Sequence, residues 1–183
     1  MPSSKAVDQA ATVAAFPAVI VSGGQAGADR AALDFAIAHG IEHSGFCPRG
    51  RKAEDGPIPD RYKLAETKSG DYPERTRLNV ELGDATAIFA RIPTEDLLRQ
   101  RRGGCALTAR EATRAGRAYV VLADFPNVQA DAQELRAFLE KARPRVLNVA
   151  GSRESSQPGI GAHVVQVLAA VAAQMAPLSR TST

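Results

Sequence analysis

The stretch SGGQAG at residues 22–27 has the composition of an anion-binding turn. It follows an apolar run and precedes a helical pattern. Its glycines would let the backbone approach a ligand, and the first N–H groups of a helix are free to bind phosphate. The candidate contacts are Ser22, Gly23, Gly24 and Gln25, although a tight turn without a ligand would also use glycine. The spacing does not fit G-x-G-x-x-G, and the lysine of a P-loop is missing, which argues against that kind of ATPase.

Two further stretches repeat this chemistry. GGCALTAR offers Gly103, Gly104 and Thr108 at a second helix start, and NVAGSRESSQPGIG at 148–161 is rich in glycines and hydroxyl groups. All three stretches follow predicted strands, and in a parallel sheet such exits meet at one edge, where ligands bind. Three loops of this kind at one edge are hard to explain as turns alone, so the sequence favours a site for an anionic small molecule.

Charged side chains near these stretches could clamp an anion. Arg49 and Arg51 lie in a polar loop, where they either cover an anionic ligand or pair with acids of the same loop. In the first helical turn, Asp29 is a partner for the helix dipole and Arg30 could reach over the site. The densest basic cluster, RQRRGG at 99–104, fits either a solvated loop or a ligand contact.

Asn79 and Glu111 each have two interpretations. Asn79 shares a helix face with Thr76 and has Arg75 nearby, so it either bonds a ligand or satisfies backbone groups. Glu111 follows Gly104 in the same helix, where a carboxylate could act as a general base or could be an ordinary surface residue. The sequence contains no serine-hydrolase elbow, and its cysteines and histidines lack metal-ligand spacing, so we expect no catalytic triad and no structural metal.

The scaffold predicted for these loops is an α/β fold. Apolar, β-rich runs alternate with helical patterns, which predicts a Rossmann-like, doubly wound and mainly parallel sheet with helices on both faces. The main predicted strands are 18–23, 86–90, 118–122 and 146–150.

Shorter segments complete this prediction. HSGFCP and YKLAET are expected to be short strands, and residues 48–61 and 91–102 to be loops. We expect one domain over 18–175, between a flexible lead at 1–17 and a flexible tail at 176–183.

Composition narrows the function classes. The chain has 183 residues, 44% of them hydrophobic and 23% charged, which fits one soluble domain. No apolar run could span a bilayer, and two isolated cysteines suit reduced cytoplasmic thiols. The net charge is +3, but only 5% of residues are aromatic and Trp is absent, which argues against nucleic acid as the partner.

Five long motifs together resemble the molybdenum cofactor carrier family. They are SGGQAGADRAALDFA, GFCPRGRKAEDGPIPDRYKLAET, YPERTRLNVELGDATAIF, GGCALTAREA and LNVAGSRESSQPGIG, and the resemblance runs from about Val19 to Gln174. It implies a Rossmann-like carrier that binds molybdopterin, a phosphate-bearing pterin, as cargo without catalysis, and that forms a homotetramer or dimer. Ala26 and Cys105 stand where the family has threonine.

The resemblance also implies where the ligand contacts lie. The first loop would contribute its four candidates together with Asp29 and Arg30, the lid Arg49 and Arg51, and the facing helix Asn79. The second loop would contribute Gly103, Gly104 and Thr108, and the third Arg153, Glu154 and Ser155.

Two alternatives remain open at this point. The same larger group includes cytokinin-activating phosphoribohydrolases, whose P-G-G-x-G-T-x-x-E motif supplies a catalytic glutamate. GGCALTARE is one residue longer and lacks the proline, and it would make Glu111 the catalytic residue of a nucleoside monophosphate hydrolase. A nucleotide-sensing module without turnover would use the same pocket.

Overall fold

A central sheet of five parallel strands organises the computed structural model, which describes residues 14–175. The order across this sheet is β2-β1-β9-β7-β8. The strands are β1 (Val19–Val21), β2 (Glu42–Ser44), β3 (Phe46–Cys47), β4 (Lys52–Ala53), β5 (Gly56–Pro57), β6 (Ala65–Glu66), β7 (Ala85–Phe89), β8 (Ala118–Leu122) and β9 (Val146–Gly151). The four main predicted strands all lie in the sheet and run parallel, so the α/β Rossmann-like prediction is confirmed.

Helices cover both faces of the sheet. They are α1 (Ala28–Ala38), α2 (Tyr72–Leu82), α3 (Thr94–Arg99), α4 (Gly104–Arg114), α5 (Val128–Ala142) and α6 (Ile160–Gln174). On one face, α1, α5 and α6 build the larger core with Ile20, Phe89 and Leu147. On the other face, α3 and α4 pack on Ile88 and Val121, and α2 packs beside α4. Strands β7 and β9 are buried on both sides, which explains their mostly apolar sequences. The two buried polar residues, Thr86 and Asn148, bond to each other, with Asn148 Nδ2 donating to Thr86 Oγ1 at 3.2 Å.

The segment HSGFCP was expected to be one strand, and the structure divides it. Its first part is β2, which pairs with β1, and its second part is β3, which pairs with β6 in a separate small sheet. Gly45 lies between them at φ 143°, and a Cβ there would collide with the Ser22 carbonyl oxygen. Only glycine therefore lets the chain turn this close to β1.

Two segments expected to be loops contain regular structure. Residues 48–61 include the antiparallel hairpin of β4 and β5, and residues 91–102 include the short helix α3. The sequence of α3 has a helix signal that was missed, since Glu95 and Asp96 lie in its first turn and Arg99 in its last, as the helix dipole favours. Burial of Leu97 against α4 adds to its stability.

The chain ends lie largely outside the described residues. The lead predicted at 1–17 is described only from residue 14 onward, where Phe16 packs on Phe35 with ring centroids 5.9 Å apart. The tail predicted at 176–183 is wholly outside the described part. The division into lead, domain and tail stays a prediction. Among residues 14–175, no helix has the length and apolar character needed to cross a membrane.

Candidate functional site

The first and third glycine-rich loops lock together at the carboxyl edge of the sheet. The Ala28 N–H donates to the Ser152 carbonyl at 3.1 Å, and the Glu154 N–H donates to the Ala26 carbonyl at 3.2 Å. Gly27 sits at φ 105°, and a Cβ there would come within 2.5 Å of the Glu154 nitrogen. The N-terminus of α1 is thus covered by the neighbouring loop instead of opening to a ligand.

Two residues of the first loop have structural partners. Ser22 is fully buried, and its hydroxyl donates to the Val149 carbonyl at 2.6 Å. Gly24 has φ 74°, and a Cβ there would lie 2.7 Å from Leu64 Cδ1. The left-handed backbone at Gly24 favours glycine without any ligand, and the structure places neither residue in the cleft described next.

A cleft of about 880 Å³ opens above the ends of β7 and β9, between α2 and α4. Its wall includes the start of α4 at Gly103 and Gly104, and no side chain of the described residues caps that helix. Uncapped N–H groups and the positive end of the helix dipole favour an anion at this position. The cleft is lined by five arginines: Arg75, Arg91, Arg102, Arg110 and Arg153. No Asp or Glu of residues 14–175 lines it.

Two buried polar groups in the cleft wall lack partners. Gln25 is 4% exposed; its Oε1 accepts the N–H groups of Ala26 at 3.0 Å and Glu54 at 2.8 Å, while its Nε2 bonds to no described residue. Arg75 pairs through Nη1 with the buried Asp29 carboxylate at 2.7 Å, and its Nε is likewise unpartnered. A buried donor without an acceptor costs about 1–3 kcal/mol, so both donors are candidate ligand contacts.

Arg30, Arg49 and Arg51 do not line the cleft. Arg30 donates to the Gly24 carbonyl at 3.1 Å and pairs with Asp55, whose pKa is lowered by this hydrogen bond. Arg51 donates to four backbone carbonyls between residues 58 and 64, at 2.7–3.3 Å. Arg49 is exposed. The predicted lid is a folded hairpin region, held by the contacts of Arg30 and Arg51.

The two residues with alternative interpretations also have internal partners. Asn79 is 2% exposed, and its amide accepts from the Phe46 N–H at 2.7 Å and donates to the Phe46 carbonyl at 3.0 Å. Thr108 donates to the Gly104 carbonyl at 2.9 Å within α4. Glu111 accepts two hydrogen bonds from Arg114 and lies outside the cleft.

In the third loop, Arg153 alone of the predicted contacts lines the cleft, with its guanidinium carbon 4.9 Å from the Tyr72 ring centroid. Glu154 instead caps α6, because its carboxylate accepts the N–H groups of Gly159 and Gly161 at 2.6 and 3.1 Å. The Ser155 hydroxyl donates to Glu54 at 2.6 Å. The cleft therefore unites four predicted contacts: Gln25, Gly103, Gly104 and Arg153.

Several lining residues were missed from sequence. Arg91 lies two residues after the end of β7, so the strand-exit rule that selected the loops would have included it. Arg110 lies two helical turns after Gly103, on the same face. Arg102 belongs to the basic cluster that had two interpretations, and Tyr72 carried no signal.

Cys105 also lines the cleft, next to the α4 N-terminus. Burial raises the pKa of its thiol to about 11. At neutral pH the group is therefore a neutral thiol and offers no ready thiolate to a metal or an electrophile.

Away from the cleft, three carboxylates approach within 4.8 Å: those of Asp124, Asp131 and Glu134. Asp131 already bonds to the buried His163 ring at 2.6 Å and to the Asp124 N–H at 3.1 Å. These contacts give the cluster a structural role in joining α5 to α6.

Comparisons with known proteins show the family and the fold of the chain. Residues 20–172 match the family described as the circularly permutated YpsA SLOG family. A crystal structure of a "putative molybdenum carrier protein" from Syntrophus aciditrophicus SB is similar to the chain. The two share 35% sequence identity with a TM-score of 0.78, over 87% of this chain and 96% of that one. No curated protein matches at the significance level required.

Proposed function

Because the chain belongs to the circularly permutated YpsA SLOG family, we propose that it is a carrier that binds a phosphate-bearing small molecule, of the molybdopterin class, without chemical turnover. The observation that carries the proposal is the composition of the cleft wall. It combines an uncapped helix start with five arginines, and none of the described residues that line it is Asp or Glu. The name of the solved relative supports a molybdenum-related cargo.

The phosphate of such a cargo fits the α4 end of the cleft. Backbone N–H groups at Gly104 and Cys105 would bind its oxygens, and Arg102 and Arg153 would add charge-assisted hydrogen bonds. Each such bond is worth about 1.5–3 kcal/mol. The Gln25 Nε2 group supplies a further donor that no described residue uses.

The cleft is suited to holding a ligand and not to hydrolysing an N-glycosidic bond. Hydrolysis needs a general acid or base within hydrogen-bond reach of the reacting atoms. Glu111 is paired with Arg114, and within residues 14–175 the cleft wall contains neither a carboxylate nor a histidine. We therefore expect binding without release of a base.

The functional unit in this proposal is a homo-oligomer in the cytoplasm. The support from the molecule is α6, where Val165, Ala169 and Ala170 remain only partly buried beside an inner face that is apolar except for His163. Light scattering at micromolar concentration should give a dimer or tetramer, and a strict monomer would contradict this part of the proposal.

Arg153→Ala tests the site. Arg75 is a poorer probe, because its removal would leave Asp29 buried and unpaired. Loss of one charge-assisted hydrogen bond, worth about 1.5–3 kcal/mol, should weaken the binding of pyrophosphate or molybdopterin to Arg153→Ala about tenfold to a hundredfold in calorimetry. The matched control is Arg77→Ala, an exposed arginine of α2 outside the cleft, which should leave affinity unchanged.

Native mass spectrometry of the purified protein identifies the cargo directly, and a phosphate-bearing pterin is the expected mass. An assay of GMP hydrolysis addresses the rival activity. Release of guanine that disappears in Glu111→Gln would overturn the carrier proposal in favour of a phosphoribohydrolase. No release, together with a co-purified phosphate ester, would support it.

A further inference from the structure

A second, smaller chamber adjoins the arginine-lined cleft. It has a volume of about 350 Å³ and shares Arg91 and Ser156 with the cleft. Arg91 Nη1 donates to the Ser156 carbonyl at 3.2 Å, and this contact forms the boundary between the two spaces. The cleft lies toward α2 and α4, whereas the chamber lies toward α5 and α6. A ligand that fills both would pass over the carboxyl edge of the sheet.

The chamber contains a buried acceptor with no partner. Gln157 is 5% exposed and lines the chamber, and its Oε1 accepts no hydrogen bond from a described residue. Both backbone groups of Gln157 are hydrogen-bonded: its N–H donates to the Arg153 carbonyl at 3.0 Å, and its carbonyl accepts from the Ile160 N–H at 3.1 Å. Buried amides in folded proteins are nearly always hydrogen-bonded, so this oxygen points to a ligand N–H.

Three apolar residues, Ala123, Phe125 and Pro158, line the chamber together with the polar Arg91, Ser156 and Gln157. The Phe125 ring packs edge-on against His163 with centroids 5.1 Å apart. His163 is fixed in turn by its 2.6 Å hydrogen bond to Asp131. A packed aromatic ring beside an amide oxygen is suited to a flat heterocycle that presents N–H groups along one edge.

We propose that this chamber is the heterocycle subsite of the ligand whose phosphate binds at α4. It would receive a bicyclic nitrogen heterocycle with a 2-amino-4-oxopyrimidine edge, the edge that guanine and pterins share, and Gln157 would accept an N–H from that edge. Phe125 and Pro158 would contact the ring. The inference rests on the proposed function, because it assigns the other end of the same ligand.

The test compares two probes that differ only in the heterocycle, GMP and ribose 5-phosphate. In calorimetry the protein should bind GMP about tenfold more tightly or better, the value of one buried hydrogen bond with ring contact. Gln157→Leu should weaken the binding of GMP, because the hydrogen bond is lost and only the ring contact remains, and it should leave the affinity for ribose 5-phosphate unchanged. The melting temperature of Gln157→Leu should not fall, because the substitution removes an unsatisfied buried group.

The matched control is Gln133→Leu, an exposed glutamine of α5 outside both spaces, which should alter neither affinity. Equal binding of both probes to the unaltered protein would overturn the subsite and leave the carrier proposal standing. An equal loss of both probes in Gln157→Leu would overturn the subsite too. If neither probe binds and Arg153→Ala has no effect on pyrophosphate, the proposed function fails, and the subsite with it.

Discussion

Gly104 offers a test that separates binding from stability. It is the first residue of α4 and lines the cleft, and a Cβ built on it meets no atom within 4 Å. Unlike Gly24, it does not have a left-handed backbone, so a side chain is accepted without strain. Asp and Asn at this position have the same size and differ in charge. The pair Gly104→Asp and Gly104→Asn therefore measures the electrostatic part of anion binding alone.

The size of the cleft sets the expected magnitude. A sphere of 880 Å³ has a radius of about 6 Å, and unit charges about 6 Å apart in an effective dielectric of about 20 interact with about 3 kcal/mol. The cleft is open to water, which screens such pairs, so we take about half of this value. The resulting difference of about 1.5 kcal/mol corresponds to about tenfold in affinity. Gly104→Asp should therefore bind pyrophosphate about tenfold more weakly than Gly104→Asn.

Stability should move in the opposite direction. Glycine is a poor helix former, and a carboxylate in the first turn interacts favourably with the helix dipole. Gly104→Asp should therefore raise the free energy of unfolding by up to about 1 kcal/mol. Calorimetry at low and high salt and urea unfolding give the two quantities. Equal affinities of the Asp and Asn variants, with both still folded, would refute the assignment of the anion to the α4 N-terminus.

Three further predictions concern Arg51 and Gly24, which lie outside the cleft, and Cys105, which lines it. Arg51→Ala should lower the free energy of unfolding by about 2–4 kcal/mol, because four carbonyls lose their donor, and urea unfolding should show this with anion affinity intact. Gly24→Ala should lower stability by about 1–3 kcal/mol through its contact with Leu64 and its left-handed backbone; an unchanged melting temperature would contradict that packing argument. Burial raises the pKa of the Cys105 thiol to about 11. Its reaction with iodoacetamide should therefore be slow at pH 8 and should become faster as the pH approaches about 11. Peptide mass spectrometry resolves this thiol from the buried Cys47, and fast alkylation of native Cys105 at pH 7 would show that the pKa is not raised.

The sequence by itself determined the fold class and the edge of the sheet at which the candidate site lies. Mostly apolar runs such as ATAIF and VLNVAG are typical of strands buried on both faces in a parallel sheet, and the helical patterns between them predict the alternation. The glycines at 103 and 104 also marked the start of α4, because this feature depends on local backbone freedom.

Only the tertiary structure decided which of the converging loops is open. The three glycine-rich stretches have similar compositions, yet the α1 start is covered by the Ser152 carbonyl and the α6 start by the Glu154 carboxylate. The physical reason is that a donor in a loop binds whichever acceptor the fold brings within about 3 Å, and that acceptor can lie anywhere in the chain. Two arginines of polar, glycine-containing loops differ for the same reason. Arg51 has backbone carbonyls within hydrogen-bond distance and donates to them, whereas Arg153 lies exposed at the cleft.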